Sequence, residues 1–157
     1  STSTLNVNTQ LRGCYMTRRL EKLGVFTGFA EHLATLSTCK RNHVGCIIVP
    51  HDFSEVYALG YNGPPANEPN DACLDIPGSC GCIHAEANAI AKMSKTSDAL
   101  LISTVCPCWH CAGLIINSKK ISEVIYLTEY RDNNGLMLLK RHLKCNHLST
   151  AVDLLKA

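Results

Sequence analysis

The chain has 157 residues, 46% of them hydrophobic, with a net charge of +2. That suits one domain with a sizeable core and is too weakly basic to argue for a nucleic-acid surface. No apolar run approaches the ~18–20 residues of a membrane span, and the polar start "STSTLNVNTQ" lacks the charged and apolar regions of a secretory signal.

Residues 1–14 read as a disordered or extended tail ahead of a single domain over 15–157. Helical spacing of Leu20, Leu23, Phe26, Ala30 and Leu33 predicts a helix over 15–38. "HVGCIIVP" (43–50) and "EVYALGYN" (55–62) are strands whose short polar link suggests an antiparallel hairpin. Residues 62–81 are dense in Pro, Gly, Asn and Asp and read as loop. A structureless loop of that length inside a compact domain calls for a function or a cross-link. A helix over 84–94, a strand over 98–105, a helix over 108–119 and a strand over 122–130 follow. A helix over 135–144 and a last short strand within 147–155 complete the chain. A hairpin followed by alternating helices and strands implies a mixed sheet with helices on both faces, a three-layer α/β/α domain.

Ten cysteines without a secretory signal point to metal binding or catalysis in a reducing, cytoplasmic setting rather than to a disulfide framework. Two stretches carry the chemistry. In "CPCWHCA" (106–112) Cys108 and Cys111 are three apart, so the first turn of a helix sets both thiols on one face. In "CIHAEANAI" (82–90) His84 and Glu86 open an apolar helix. Two thiolates and an imidazole are zinc ligands, and a catalytic zinc keeps its fourth position for water. Glu86 then stands beside that water as a general acid/base, the H-x-E…P-C-x-x-C arrangement of the zinc deaminases. The alternative is a structural zinc with Glu86 as a solvated acid in a first helical turn, although such a site would close with a fourth ligand.

Over about 29–130 the chain resembles the deoxycytidylate (dCMP) deaminases of the cytidine deaminase superfamily. The matching segments are "CKRNHVGCIIV" (39–49), "GYNGPP" (60–65), "HAEANAI" (84–90), "TVCPCWHCAGLII" (104–116) and "VIYLTEY" (124–130). The resemblance implies a five-stranded sheet, a homo-oligomer, zinc as cofactor, and hydrolysis of dCMP to dUMP on the route to thymidylate, with dCTP and dTTP as regulators. By similarity Asn62 bonds the sugar and the Ala85 backbone reads the pyrimidine edge. Asn62 also fits a plain turn residue, since Asn-Gly is a turn dipeptide. Tyr130 either borders the substrate or is a half-exposed strand aromatic. Lys119-Lys120 departs from the family, which often has glycine in that stretch.

Cys39, Cys73, Cys80 and Cys82 flank or occupy the long loop. They are either a second, structural zinc site that orders the loop, with His43 as a substitute ligand, or buried thiols packing as small hydrophobes. Cys14, Cys46 and Cys145 read as inert packing thiols, His110 as pointing away from the metal, and His32, His51, His142 and His147 as lacking a partner pattern. A substrate phosphate would draw Arg41 or Lys40, each equally at home in a solvated turn. The resemblance alone makes Lys92 and Lys95 candidates for contact with a neighbouring subunit or a regulator.

Two competing readings share the zinc motif. A deaminase acting on nucleic acid needs an electropositive channel and stacking aromatics, which three Phe, one Trp and a charge of +2 do not favour. A non-catalytic zinc module has no use for Glu86.

Overall fold

The computed structural model describes residues 3–95 and 98–157, with the side chains of the first helix from residue 15 onward. Its central element is a sheet of five strands in the order β2-β1-β3-β4-β5. These are β1 (Gly45–Val49), β2 (Ala58–Tyr61), β3 (Ala99–Val105), β4 (Ile121–Thr128) and β5 (Lys144–His147). The expected hairpin is present: β1 and β2 pair antiparallel with Cys46 opposite Gly60. β1 is also antiparallel to β3, whereas β3–β4 and β4–β5 are parallel. The sheet is therefore mixed.

Residues one apart on a strand face opposite ways, and β1 shows the consequence. Ile47 and Val49 join Leu100, Ile102 and Ile125 in one core, closed by Leu23, Ala30 and Leu33 of α1 (Ser3–Ala34) and by Ala151 of α5 (Leu148–Lys156). Cys46 and Ile48 join Leu101 and Val124 in the other. That second core is closed by Ala85 and Ala89 of α2 (Ala85–Lys92), Ile115 of α3 (Trp109–Ser118) and Leu139 of α4 (Asn134–Lys140). With both faces covered, the central strands are apolar almost throughout. The three-layer α/β/α architecture with a five-stranded mixed sheet is the one expected.

Two expectations are corrected at the ends of the chain. Residues 3–14 are helical and continue α1 rather than forming an extended or disordered tail. No proline interrupts 3–34, so nothing in that stretch forces the helix to stop. The inert thiol expected at Cys14 lies outside the residues whose side chains are described. At the other end, the fifth strand is Lys144–His147, and the segment expected as a strand is instead the helix α5. Leu148, Ala151, Val152 and Leu155 follow the i, i+3, i+4, i+7 spacing of a helix lying on the sheet. His147 caps it, its Nδ1 accepting the Ser149 N–H at 3.1 Å.

A close approach explains how the sheet places α2. A Cβ on Gly60 of β2 would run into the carbonyl of Ala85 and lie 2.8 Å from the Ala89 nitrogen. Only glycine lets this helix sit so near the strand.

Candidate active site

The ends of β3 and the starts of α2 and α3 meet on one edge of the sheet. His84 is the N-cap of α2 and Cys108 the N-cap of α3, both with extended backbone; Cys111 is one turn into α3. Two helix N-termini, with their unpaired N–H groups and partial positive charge, thus face the same point. His84 Nδ1 lies 3.5 Å from Cys108 Sγ and 3.4 Å from Cys111 Sγ, and the three donor atoms fall within 4.8 Å of one another. The donor set, one imidazole and two thiols, is that of a zinc site. The thiols are already polarised. Cys108 is held down to about 3, first by the Cys111 thiol that donates to it and then by His84, against the effect of burial. Cys111, as that donor, is pushed up, and Cys108 raises His84.

Glu86 lies in the first turn of α2, only 4% exposed. Burial pushes its carboxyl above the ordinary range, the neighbouring His84 pulling the other way. The Ser103 hydroxyl donates to Glu86 Oε1 at 3.4 Å. Ser103 did not figure among the residues expected at the site. Its signal was available, since Ser103 and Thr104 are the two polar residues in "ALLISTV" and both are buried.

These groups border a cleft of about 700 Å³ that also takes in Asn62, Ala85, Arg41 and Tyr130. Asn62 is buried, its Nδ2 donating to the Asn42 carbonyl at 2.7 Å and its Oδ1 accepting the Val44 N–H at 2.8 Å. Tyr130 lies beyond the end of β4, half-buried, with the Arg131 guanidinium 5.3 Å from its ring centre. Of the two cations considered for a phosphate, Arg41 lines the cleft and Lys40 does not. His110 is exposed and outside the donor group. Lys95, considered for an outside contact, instead pairs within the chain, 3.8 Å from Glu55 and 5.7 Å from the Tyr57 ring centre. Cys46 and Cys145 are buried, and burial raises both thiols, Cys145 to about 12. His51 does have partners, Ser122 at 2.8 Å and the carboxylates of Asp98 and Glu123.

Four further cysteines form a second cluster against the same cleft. The sulfurs of Cys39, Cys73, Cys80 and Cys82 lie within 4.8 Å of one another, with Cys39 4.0 Å from both Cys73 and Cys80. Four thiols gathered this closely have the number and chemistry of the donors of a structural zinc site. His43, the substitute ligand considered, is not part of the group. Backbone N–H groups of Lys40 and Asp75 point at Cys73 and bring its thiol down to about 7, which favours the thiolate that a metal requires.

A family model described as the cytidine and deoxycytidylate deaminase zinc-binding region matches residues 21–128. The chain belongs to this family. The deoxycytidylate deaminase of Saccharomyces cerevisiae is 34% identical over 129 residues, 73% of this chain and 40% of that protein. The Schizosaccharomyces pombe deoxycytidylate deaminase is 33% identical over 131 residues, again 73% of this chain and 40% of the relative. The chain thus spans about two fifths of the yeast proteins' length. Among solved structures, the dCMP deaminase of cyanophage S-TIM5, crystallised with dCMP and dUMP, superimposes with a TM-score of 0.73 at 30% identity. That match covers 82% of this chain and 97% of the phage chain. Acinetobacter baumannii RibD, at 22% identity and a TM-score of 0.63, shares the fold. The zinc-binding character of the family agrees with the presence of zinc-type donors, and no described helix is long and apolar enough to cross a membrane.

Proposed function

We propose that this deaminase-family protein hydrolyses dCMP to dUMP and ammonia, with His84, Cys108 and Cys111 holding a catalytic zinc and Glu86 moving the protons. The observation that carries the reading is a buried carboxyl two residues from one of three convergent zinc-type donors, at the wall of a nucleotide-sized cleft. Zinc, when bound, supplies an activated water able to act at neutral pH. Glu86 would carry one proton of the attacking water to the ring nitrogen as the carbon–oxygen bond forms, and then the proton of the new hydroxyl to the amine as the carbon–nitrogen bond breaks and ammonia leaves. Its raised affinity for a proton, caused by burial, suits a group that must both take and give one near neutrality. Ser103 steadies one carboxylate oxygen.

The Ala85 backbone at the start of α2 reads the pyrimidine edge. Asn62 meets the sugar with the amide hydrogen and the lone pair that its backbone bonds leave unused. Tyr130 borders the base, and Arg41 takes the phosphate. Cys39, Cys73, Cys80 and Cys82 hold a second, structural zinc, which orders a loop that its own composition would not. Free thiols throughout the described residues suit a reducing, cytoplasmic compartment. Self-assembly and regulation by dCTP and dTTP belong to the same proposal. Exposed Leu114 of α3 and Met137 of α4 offer apolar surface to a second copy.

Incubation with CMP, dCMP, dCTP and cytidine, followed by ammonia release, tests the reaction. Turnover of dCMP well above the others is expected, and preference for cytidine or no turnover at all refutes it. Elemental analysis tests the metals. Two zinc ions per chain are expected, with one in Cys73→Ala, and one in the unaltered protein refutes the structural site.

A further inference from the structure

Arg41 is attached to the four-thiol cluster at both ends. Its own backbone N–H points at Cys39 Sγ, 3.5 Å away. Its guanidinium Nη1 donates to the Asp75 carbonyl and to Asp75 Oδ1, each at 3.5 Å. Asp75 in turn lies two residues beyond Cys73 in the chain, with its N–H near enough to lower that thiol. The Lys40 N–H between them donates to Cys73 Sγ at 3.4 Å, and the Leu74 N–H donates to the Cys80 carbonyl at 2.9 Å. Asp75 adopts a left-handed backbone, φ 57°, which a non-glycine residue keeps only where its surroundings hold it. Among the described residues, the hydrogen bonds that join segments 39–41 and 73–80 run through sulfur and through this Arg–Asp contact. Arg41 reaches the cleft from that junction, and Cys39, Cys80 and Cys82 form part of the cleft wall beneath it.

We propose that the Cys39–Cys73–Cys80–Cys82 site is a positioning device for Arg41, so that recognition of the substrate's phosphate depends on its metal. This rests on the nucleotide reading above. Thiolates tied to one cation fix Cys39 and Cys73, and with them both anchors of the arginine. Without the cation four neighbouring sulfurs have no reason to stay together, and the loop's Pro/Gly/Asn composition supplies no order of its own. Arg41 then becomes a long, solvated side chain on a mobile turn, and the cost of ordering it falls on each binding event. Asp75 acts here as a positioning residue. It holds one guanidinium nitrogen and leaves the others for an oxyanion.

The test compares dUMP with deoxyuridine, which differ only in the phosphate, by calorimetric affinity on the zinc-loaded protein. The affinity ratio is the readout, supported by the kcat/KM ratio of dCMP to deoxycytidine. Arg41→Gln should lower the ratio by about tenfold or more, the scale of a charge-assisted contact. Cys73→Ala, with one zinc fewer, should lower it comparably, and the double variant should go no further, since both changes remove one interaction. Asp75→Asn keeps all four thiols and tolerates the left-handed backbone. It should keep both zinc ions and still lower the ratio, which guards against a Cys73 variant that fails to fold. An unchanged ratio in Cys73→Ala, additive losses in the double variant, or an unchanged or increased ratio in Asp75→Asn would each overturn the proposal. A wild-type protein that neither binds dUMP nor deaminates dCMP would instead overturn the nucleotide reading itself.

Discussion

Gly60→Ala is a small change with a large expected effect, because β2 and α2 approach through that one position. The new methyl would strike the Ala85 carbonyl, lie 2.8 Å from the Ala89 nitrogen and touch Asn88 Cβ at 3.1 Å. An ordinary contact needs 3.4 Å, so the backbone of α2 must retreat by about 0.6 Å or more. Helix backbone cannot rotate away as a flexible side chain does, and overpacking of this kind costs roughly 1–3 kcal/mol. For a chain of this size that is a fall in Tm of roughly 2–12 °C. The displaced turn carries His84, Ala85 and Glu86, and a misplacement of about 1 Å can cost ~10²-fold in rate. A loss of roughly tenfold in kcat with zinc retained is therefore expected. Gly113→Ala on α3 is the control. Nothing lies within 4 Å of its Cβ, so it should gain roughly 0.5–1 kcal/mol of helix stability. Thermal unfolding, zinc content and ammonia release measure all three quantities. A Gly60→Ala protein with unaltered Tm and kcat would refute the argument that this approach positions the site.

Glu86→Gln keeps every donor of the metal cluster and should retain its zinc while losing 10²–10⁴-fold in turnover; activity within about tenfold of the unaltered protein would exclude the proton-transfer role. The same variant should melt no lower than the parent, since it removes a buried carboxyl that burial already disfavours in its charged form; a marked drop in Tm would point to a structural role instead. His84→Ala and Cys111→Ala should each lose the catalytic zinc and activity together, and elemental analysis finding that metal intact would contradict the ligand assignment. Lys119 ends α3 in the left-handed conformation, φ 57° and ψ 20°, so Lys119→Gly should stabilise the chain by about 1 kcal/mol, seen as a higher denaturant midpoint at an unchanged slope.

What could be read from the residues divides along physical lines. The central strands were legible because burial on both faces leaves nearly unbroken apolar runs, as in "GCIIV" and "ALLISTV". The convergence of His84, Cys108 and Cys111 was legible because ligand chemistry restricts residue type and helix geometry restricts spacing. The final segment misled because "STAV" offers β-branched residues that fit a strand, whereas Leu148, Ala151, Val152 and Leu155 decide for a helix only when a sheet face is there to receive them. The Ser103–Glu86 and Asp75–Arg41 contacts were not legible as pairings, although a serine inside an apolar strand marked Ser103 itself. Each depends on a pairing across more than 15 residues, and nothing local marks it. The Lys119-Lys120 departure has a geometric account in the structure: the position is left-handed, and glycine would adopt it without strain.

Asn62 shows why a structural and a functional role need not compete. Its Nδ2 and Oδ1 lock the turn between 42 and 44 against the end of β2, as the Asn-Gly pair suggests on its own. The same two bonds fix the amide plane and use only one of its two hydrogens and one of its two lone pairs. What is left is held in a single orientation beside the cleft. An amide free to rotate would have to be ordered by the substrate at a cost in affinity; this one is ordered by the fold. The Ser37 hydroxyl, donating to the Asn62 carbonyl at 2.7 Å, adds a third tie from the loop that ends at Cys39. Asn62 and Arg41 therefore approach the cleft from one continuous network, the first fixed through backbone bonds and the second through sulfur. Under the proposed function the long loop is a substrate-facing wall of the cleft, and metal-bound thiols would do for that wall what the sheet does for α2 and α3.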